Sequence, residues 1–372
     1  PLARRGSGVR DALAERLLAD VMEWAPEDIA RERPVLQALA LYKYDEYQQF
    51  SPGMRFVESL ARWLEQFEEK AERQIAYDFL RSRLVFISIS EVHHLVSTAY
   101  SDHVRPLLIE MAAEGLGLRP WQVCRISKSP QFRALQRQTL FLGLSDGART
   151  DVFRRANPEL SNEQVLQTYD GTGDRTEDLL SSLTKDLRAI VTEPIARHPR
   201  FRNIVLLDDF SASGISYIRR GESGRIDGKL GKVHRLLTSG DLSKIVHPDM
   251  ITVILVIYVG TEQMRSHVQK LWLELEGVDG IPLRVLLLQE LAGTARLDRD
   301  GSHPIEAVIR RYYDAAVEDD HTRRGGSDVQ FGFGNCGLSV VLSHNTPNNT
   351  LPLLWWDSAK ARALFPRIRR HK

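Results

Sequence analysis

Cysteine is almost missing from this chain: Cys124 and Cys336 are the only two in 372 residues. Two thiols cannot build the disulfide framework of a small secreted domain, and a chain of this length does not need one. A reducing cytoplasm is therefore expected. Long apolar runs are missing as well. No stretch approaches the roughly 18 to 20 residues that a membrane-spanning helix needs, and the opening PLARRGSGVR has no apolar segment of the signal-peptide kind. The expectation is a soluble protein with no membrane partner. Charge of one sign is also lacking, since 50 Lys and Arg against 49 Asp and Glu leave a formal net charge of +1. No overall field recruits nucleic acid or an anionic surface, and the terminal Arg4, Arg5, Arg367, Arg369, Arg370 and Lys372 read as solvated tails. Metal-ligand spacing is absent too. His93 and His94 are helix neighbours that point apart, and His234, His247, His303 and His321 are scattered.

What the chain does have is a globular composition, 42% hydrophobic and 27% charged, with length for about two domains. Its first part reads as helical. VRDALAERLLADVMEW places Val9, Leu13, Leu17, Val21 and Trp24 close to a 3.6-residue period. Ser51 and Pro52 predict a capped helix start, followed by Phe56, Leu60, Trp63, Leu64 and Phe67 on one face. LVFISIS predicts a short strand inside this region, before SEVHHLVSTAY returns to helical spacing. From about Gln138 the pattern changes to TLFLGL, NIVLLDD, MITVILVIYVG, LRVLLLQE and GLSVVLSH. Near-continuous apolar strands separated by crossovers predict a parallel sheet covered on both faces. The expected organisation is a mainly helical region over 1–125 and an α/β domain over 126–372. QTYDGTGDR, from Gln167 to Arg175, reads as a polar, glycine-rich surface loop.

The stretch NIVLLDDFSASGIS, Asn203 to Ser216, carries the chemistry. Two adjacent carboxylates at the end of a buried strand cost free energy through repulsion and desolvation, so a ligand is expected there. In an open parallel sheet ligands bind at the carboxyl ends of strands, which puts Asp208 and Asp209 at the rim. Ser211, Ala212, Ser213, Gly214, Ile215 and Ser216 follow with little bulk, and ISYIRR reads as the start of a helix whose amides would hold a phosphate. Carboxylates accept hydrogen bonds from sugar hydroxyls, so a sugar phosphate meets both demands. Two other readings stand beside this one. An apolar strand ending in two acids also describes the magnesium-holding element of a nucleotide hydrolase, but the G-x-x-x-x-G-K-[ST] loop it requires is absent and GRIDGKLGK has the wrong spacing. The pair could also have a purely structural role, capping the helix after the strand.

DDFSASGIS resembles the phosphoribosyl pyrophosphate (PRPP) signature of type I phosphoribosyltransferases, with Phe210 and Ser211 departing from the small or aliphatic residues usual there. The resemblance implies ribose binding by Asp208 and Asp209, with Asp209 the better proton-transfer group, and 5′-phosphate binding by Ser211 to Ser216. It also implies pyrophosphate binding by the turn Ser145, Asp146, Gly147, Ala148 and Arg149 in TLFLGLSDGARTDVFRR, and a lid around Gly171 and Gly173. GFGNCGLSVVLSHNTPNNTLPLLWW is similar to the closing segment of the PRTase-CE family of bacterial conflict systems. That family implies a parallel-sheet, Rossmann-like phosphoribosyltransferase fold and an effector role in antiviral defence, in some cases beside a retron reverse transcriptase. Implied with it are PRPP or a related nucleotide as ligand, and magnesium carried by that ligand and in reach of Asp208 and Asp209. The implied partners are a retron reverse transcriptase with its DNA or another defence-operon protein. The reaction implied is transfer or hydrolysis of the phosphoribosyl group; the alternative is a sensing module that has lost turnover. HNTPNNT is either a turn-rich loop or a border of the pocket, Trp355 and Trp356 are expected in the core, and Cys124 and Cys336 are expected to be buried or inert.

Overall fold

The computed structural model describes residues 9–168, 175–191, 199–221, 223–320, 322–326 and 328–368. Its strands are β1 (Val85–Ile87), β2 (Thr139–Gly143), β3 (Val165–Leu166), β4 (Asn203–Ser211), β5 (Arg219–Arg220), β6 (Ile226–Asp227), β7 (Thr252–Gly260), β8 (Leu283–Glu290) and β9 (Val340–Leu342). The chain divides into two compact units, one of residues 1–91 with 292–372 and one of residues 92–291. The change of sequence pattern near residue 125 coincides with neither break. Helices Arg105–Leu116, Val123–Ser127 and Pro130–Arg137 belong to the unit that holds the parallel sheet, and residues after 291 belong with the N-terminal helices.

The 92–291 unit is built on five parallel strands in the order β3-β2-β4-β7-β8. Alternate residues of each strand face opposite sides. Leu140, Leu142, Ile204, Leu206, Val253, Leu255 and Ile257 share one buried cluster with three helices, Thr176–Ile190 through Leu183, Lys229–Thr238 through Val233, and Glu262–Asp279 through Trp272. On the other face Phe141 packs 6.0 Å from Tyr100 and 5.1 Å from Phe153, centroid to centroid. The chain runs from β2 outward to β3, then returns to β4 on the opposite side of β2. Order reversal of this kind opens a crevice at the carboxyl ends of the two strands that flank it.

In the other unit helix Val9–Met22 forms, but Leu13 and Leu17 of the expected stripe are 60% and 37% exposed, while Ala14, Leu18, Ala19 and Met22 are buried. Packing against helix Phe56–Glu65 instead buries the neighbouring row with its small alanines, which allow close approach. That second helix starts at Phe56, not after Ser51-Pro52. Ser51 closes a turn by accepting from Met54 N at 2.8 Å, and the amide of Phe56 donates to Asp45 Oδ1 at 2.9 Å, so the cap comes from a distant residue. Phe56, Leu60, Trp63, Leu64 and Phe67 are buried on one face as expected.

LVFISIS supplies β1, and its partner is β9 in parallel register, Val85 opposite Val340. The GLSVVLSH strand therefore lies outside the five-stranded sheet. HNTPNNT makes internal turns in this unit: Tyr47 OH and Thr346 Oγ1 are 2.8 Å apart, Asn349 Nδ2 donates to Phe333 O at 2.8 Å, and Trp355 Nε1 donates to Thr350 O at 2.7 Å. Trp355 and Trp356 are buried with Val317 and Val329. Cys336 is buried and its thiol is pushed up to about 12 by that burial, whereas Cys124 is exposed. Both His93 and His94 are exposed on helix Ile89–Thr98. No helix among the described residues is long and apolar enough to cross a membrane. The lid glycines Gly171 and Gly173, together with His321, Arg4, Arg5, Arg369, Arg370 and Lys372, lie outside the described residues.

Candidate functional site

Asp208 and Asp209 occupy the carboxyl-terminal part of β4, where the sequence places them. Neighbours on a strand point to opposite faces, and the two acids accordingly meet different surroundings. Asp208 is 1% exposed and lies on the side of the three-helix cluster, whereas Asp209 is half-buried.

Four donors fill the Asp208 carboxylate. Ser145 Oγ donates to its Oδ1, and the Asp209 amide donates to the same oxygen at 3.2 Å. Tyr217 OH donates to Oδ2, joined there by Lys229 Nζ at 2.5 Å. Burial pushes the Asp208 carboxyl above the ordinary carboxylate range; Lys229 opposes that rise and the adjacent Asp209 charge adds to it. Tyr217 and Tyr258 are held well above their usual phenol values, first by burial and then by the acids. Asp208 is thus an internal junction that ties the turn after β2, the loop after β4 and the helix that begins at Lys229.

The turn Ser145–Arg149 lies directly against this pair. Ser145 accepts from Gly147 N at 3.2 Å while donating to Asp208, and Tyr258 OH donates to Ala148 O at 2.6 Å. A Cβ on Gly147 would lie 2.3 Å from both Cγ and Oδ2 of Asp209. Glycine is therefore required because the Asp209 carboxylate occupies the space a side chain would take. Gly147→Ala is expected to swing that carboxylate aside, with a cost of about 1 to 3 kcal/mol in stability. In the same variant binding of ribose 5-phosphate should weaken about tenfold; calorimetry together with a melting curve separates the two effects. Arg149 closes the turn in the left-handed region at φ 48°, a strained choice for a residue with a side chain. Its Nε is buried and makes no hydrogen bond among the described residues. A buried guanidinium nitrogen left without an acceptor fits an anion that completes it.

The loop after β4 differs from the sequence reading in one respect. ISYIRR does not begin a helix. The amides of Tyr217 and Ile218 both donate to Gly214 O, at 2.9 and 3.0 Å, which closes a turn, and Arg219–Arg220 then pairs antiparallel with Ile226–Asp227. The next helix starts at Lys229, and its first amides are satisfied internally, Lys229 N by Ser216 O at 3.3 Å and Leu230 N by Tyr217 O at 2.8 Å. No helix terminus with open amides therefore follows β4 at this point. Turn amides remain: those of Ser213, Gly214 and Ser216 make no hydrogen bond among the described residues. Gly214 sits at φ +74° with His267, Met264 and Val268 within 3.1 to 3.2 Å of a would-be Cβ, so its identity is dictated twice over. Ser211, Ala212 and Ser213 are buried, Ile215 is half-buried, and Ser216 is exposed.

The residues present do not build a protein-held magnesium site. Both Asp208 oxygens are occupied by protein donors, and among the described residues no group of three or more His, Cys, Asp or Glu is placed to hold an ion. Sequence reading missed Lys229, Tyr217 and Tyr258. Only Lys229 carried a signal: a cation at the first position of a helix opposes the macrodipole, which implies a compensating acid nearby.

Neither the curated proteins nor the solved structures include a match to this chain. Residues 60–367 match the family model PRTase-CE. That match covers most of the sequence and spans the parallel sheet, the turn after β2, the acid pair and β9, and the chain belongs to the PRTase-CE family, whose members are phosphoribosyltransferase-like.

Proposed function

We propose that the crevice at the carboxyl ends of β2 and β4 binds a ribose 5-phosphate ligand, PRPP or a related nucleotide, and transfers or hydrolyses its phosphoribosyl group. One observation supports this reading. The Ser145–Arg149 turn touches both acids, bonding to Asp208 through Ser145 and abutting Asp209 through Gly147, so the two elements that the signature assigns to one ligand lie against each other. Asp209 accepts from ribose hydroxyls, the free amides of Ser213, Gly214 and Ser216 hold the 5′-phosphate, and Arg149 meets the pyrophosphate. Asp208 positions these groups from the interior.

In transfer, the acceptor's nucleophile forms a bond to C1 of the ribose as the bond from C1 to the pyrophosphate oxygen breaks, and its electron pair leaves with pyrophosphate. Positive charge that develops on the ring is stabilised by the Asp209 carboxylate. In hydrolysis water is the nucleophile. Magnesium, which phosphoribosyltransferase-like proteins generally use, would arrive with the ligand's own phosphates, since both Asp208 oxygens are taken by protein donors. An effector role in bacterial anti-phage defence, with a retron reverse transcriptase and its DNA, or another protein of the same operon, as partner, is part of the same proposal and rests on the resemblance of the closing segment GFGNCGLSVVLSHNTPNNTLPLLWW.

Burial of Asp208 leaves a single carboxylate for the ribose, and that favours a second reading, a sensor that binds without turnover. Pyrophosphate release from PRPP distinguishes the two: steady release supports the enzyme, tight binding without release the sensor. The ligand reading itself is tested by titrating PRPP and ribose 5-phosphate, with magnesium, into the intact protein and Arg149→Met. Loss of one charge-assisted contact should weaken PRPP by about tenfold and leave ribose 5-phosphate within about twofold. An intact protein that takes up neither compound rejects the reading.

A further inference from the structure

Lys229 stands where a helix disfavours it. It is the first residue of helix Lys229–Thr238, where the macrodipole is positive, yet its side chain is 28% exposed and its Nζ lies 4.9 Å from the centre of the Tyr217 ring. A break of a local rule at this point calls for a compensating gain. The backbone leaves it little freedom to leave. Gly228 precedes it at φ +100°, with Tyr217 O only 2.5 Å from a would-be Cβ, and the first two helix amides donate to Ser216 O and Tyr217 O. The helix start is thus fastened to the loop after β4, and from there Lys229 Nζ reaches the Asp208 carboxylate at 2.5 Å.

A buried carboxylate without a partner charge is strongly unfavourable. Asp208 holds Ser145 at the head of the turn after β2 and Tyr217 at the foot of the loop after β4. We propose that Lys229 is a positioning residue: by neutralising Asp208 it fixes the spacing between the Ser145–Arg149 turn and the Ser211–Tyr217 loop, the two segments that grip the ligand. Other groups face Asp208 as well, Tyr258 from β7 and Asp209 from its own strand, but among the described residues Lys229 is the one cation bonded to it. This inference rests on the ligand reading above, and its test separates the two.

Ribose 5-phosphate and PRPP are titrated with magnesium into the intact protein, Lys229→Met, the double variant Lys229→Met/Asp208→Asn, and Val233→Ala. Val233 is fully buried on the same helix and serves as a destabilising control. Lys229→Met should lose about tenfold in affinity for both compounds and melt earlier. The double variant, which removes both charges together, should recover most of both losses, because its neutral amide is no longer an unpaired buried charge. Val233→Ala should melt earlier while binding within about twofold of the intact protein. Equal losses in the single and double variants would show that neutralising Asp208 is not what Lys229 supplies and would overturn the proposal. A comparable affinity loss in Val233→Ala would overturn it too, as would unchanged binding in Lys229→Met. If the intact protein binds neither compound the ligand reading falls, and the melting temperatures of the same four proteins still report whether Lys229 neutralises Asp208.

Discussion

Asp209→Asn should weaken ribose 5-phosphate binding about 100-fold, since the amide retains the size of the carboxylate but gives up charge-assisted bonds that contribute roughly 1.5 to 3 kcal/mol each. Isothermal titration with magnesium reads the loss directly. Asp209 is the acid that the fold leaves half-buried beside Gly147, and its own Oδ1 already accepts from Phe210 N at 2.8 Å. Removal of its charge also removes one of the causes that push up the Asp208 carboxyl. The variant should therefore stay folded, with a melting temperature within a few degrees of the parent. An affinity unchanged within about threefold would mean that the sugar is held elsewhere. Asp208→Asn, in contrast, leaves Lys229 without its partner and should lower stability more than Asp209→Asn does.

Phe365→Ala should lower stability by about 3 to 5 kcal/mol, the range for truncating a large buried ring. Phe365 is completely buried, and its centroid lies 5.1 Å from that of Tyr47, 5.8 Å from Phe50, and 5.9 Å from Phe56 and from Phe86. Four segments meet there: the turn near Tyr47, helix Phe56–Glu65, β1, and the chain beyond Trp356. Amide exchange gives the sharper reading. Because the closing residues share one core with the N-terminal helices, protection should fall together in helix Phe56–Glu65, in β1 and in β9. A loss confined to the last residues would show a tail that merely lies on a finished core.

Much of the 92–291 unit was legible because its signals are local. TLFLGL, NIVLLDD, MITVILVIYVG and LRVLLLQE are too apolar for half-exposed strands, and each became a strand of the parallel sheet. GLSVVLSH carries the same local signal, yet it pairs with Val85–Ile87 instead. Strand partnership between residues so far apart is a matter of tertiary register, which the short apolar run Val340–Leu342 does not encode. Helix Val9–Met22 fails similarly. Its period was readable, but the choice between the Leu13 and Leu18 rows depended on the shape of the helix opposite. The absent helix at ISYIRR shows a third limit, since Gly214 at φ +74° closes a turn that its small-residue neighbours permit and propensity does not forbid.

By itself the sequence determined that an acid pair lies in the carboxyl-terminal part of a buried strand and that a glycine-bearing turn follows an earlier one. These follow from apolar content and short motifs, which act within a few residues, whereas the likeness to phosphoribosyltransferases rests on a resemblance of DDFSASGIS and on the family match. Only the tertiary structure decided that the two acids meet different surroundings. Strand alternation turns Asp208 inward, where Ser145, Tyr217 and Lys229 converge on it from three separate segments, and leaves Asp209 beside the turn. The reason is electrostatic: a carboxylate taken from water must find its donors wherever the fold brings them, and no spacing along the chain records where that is.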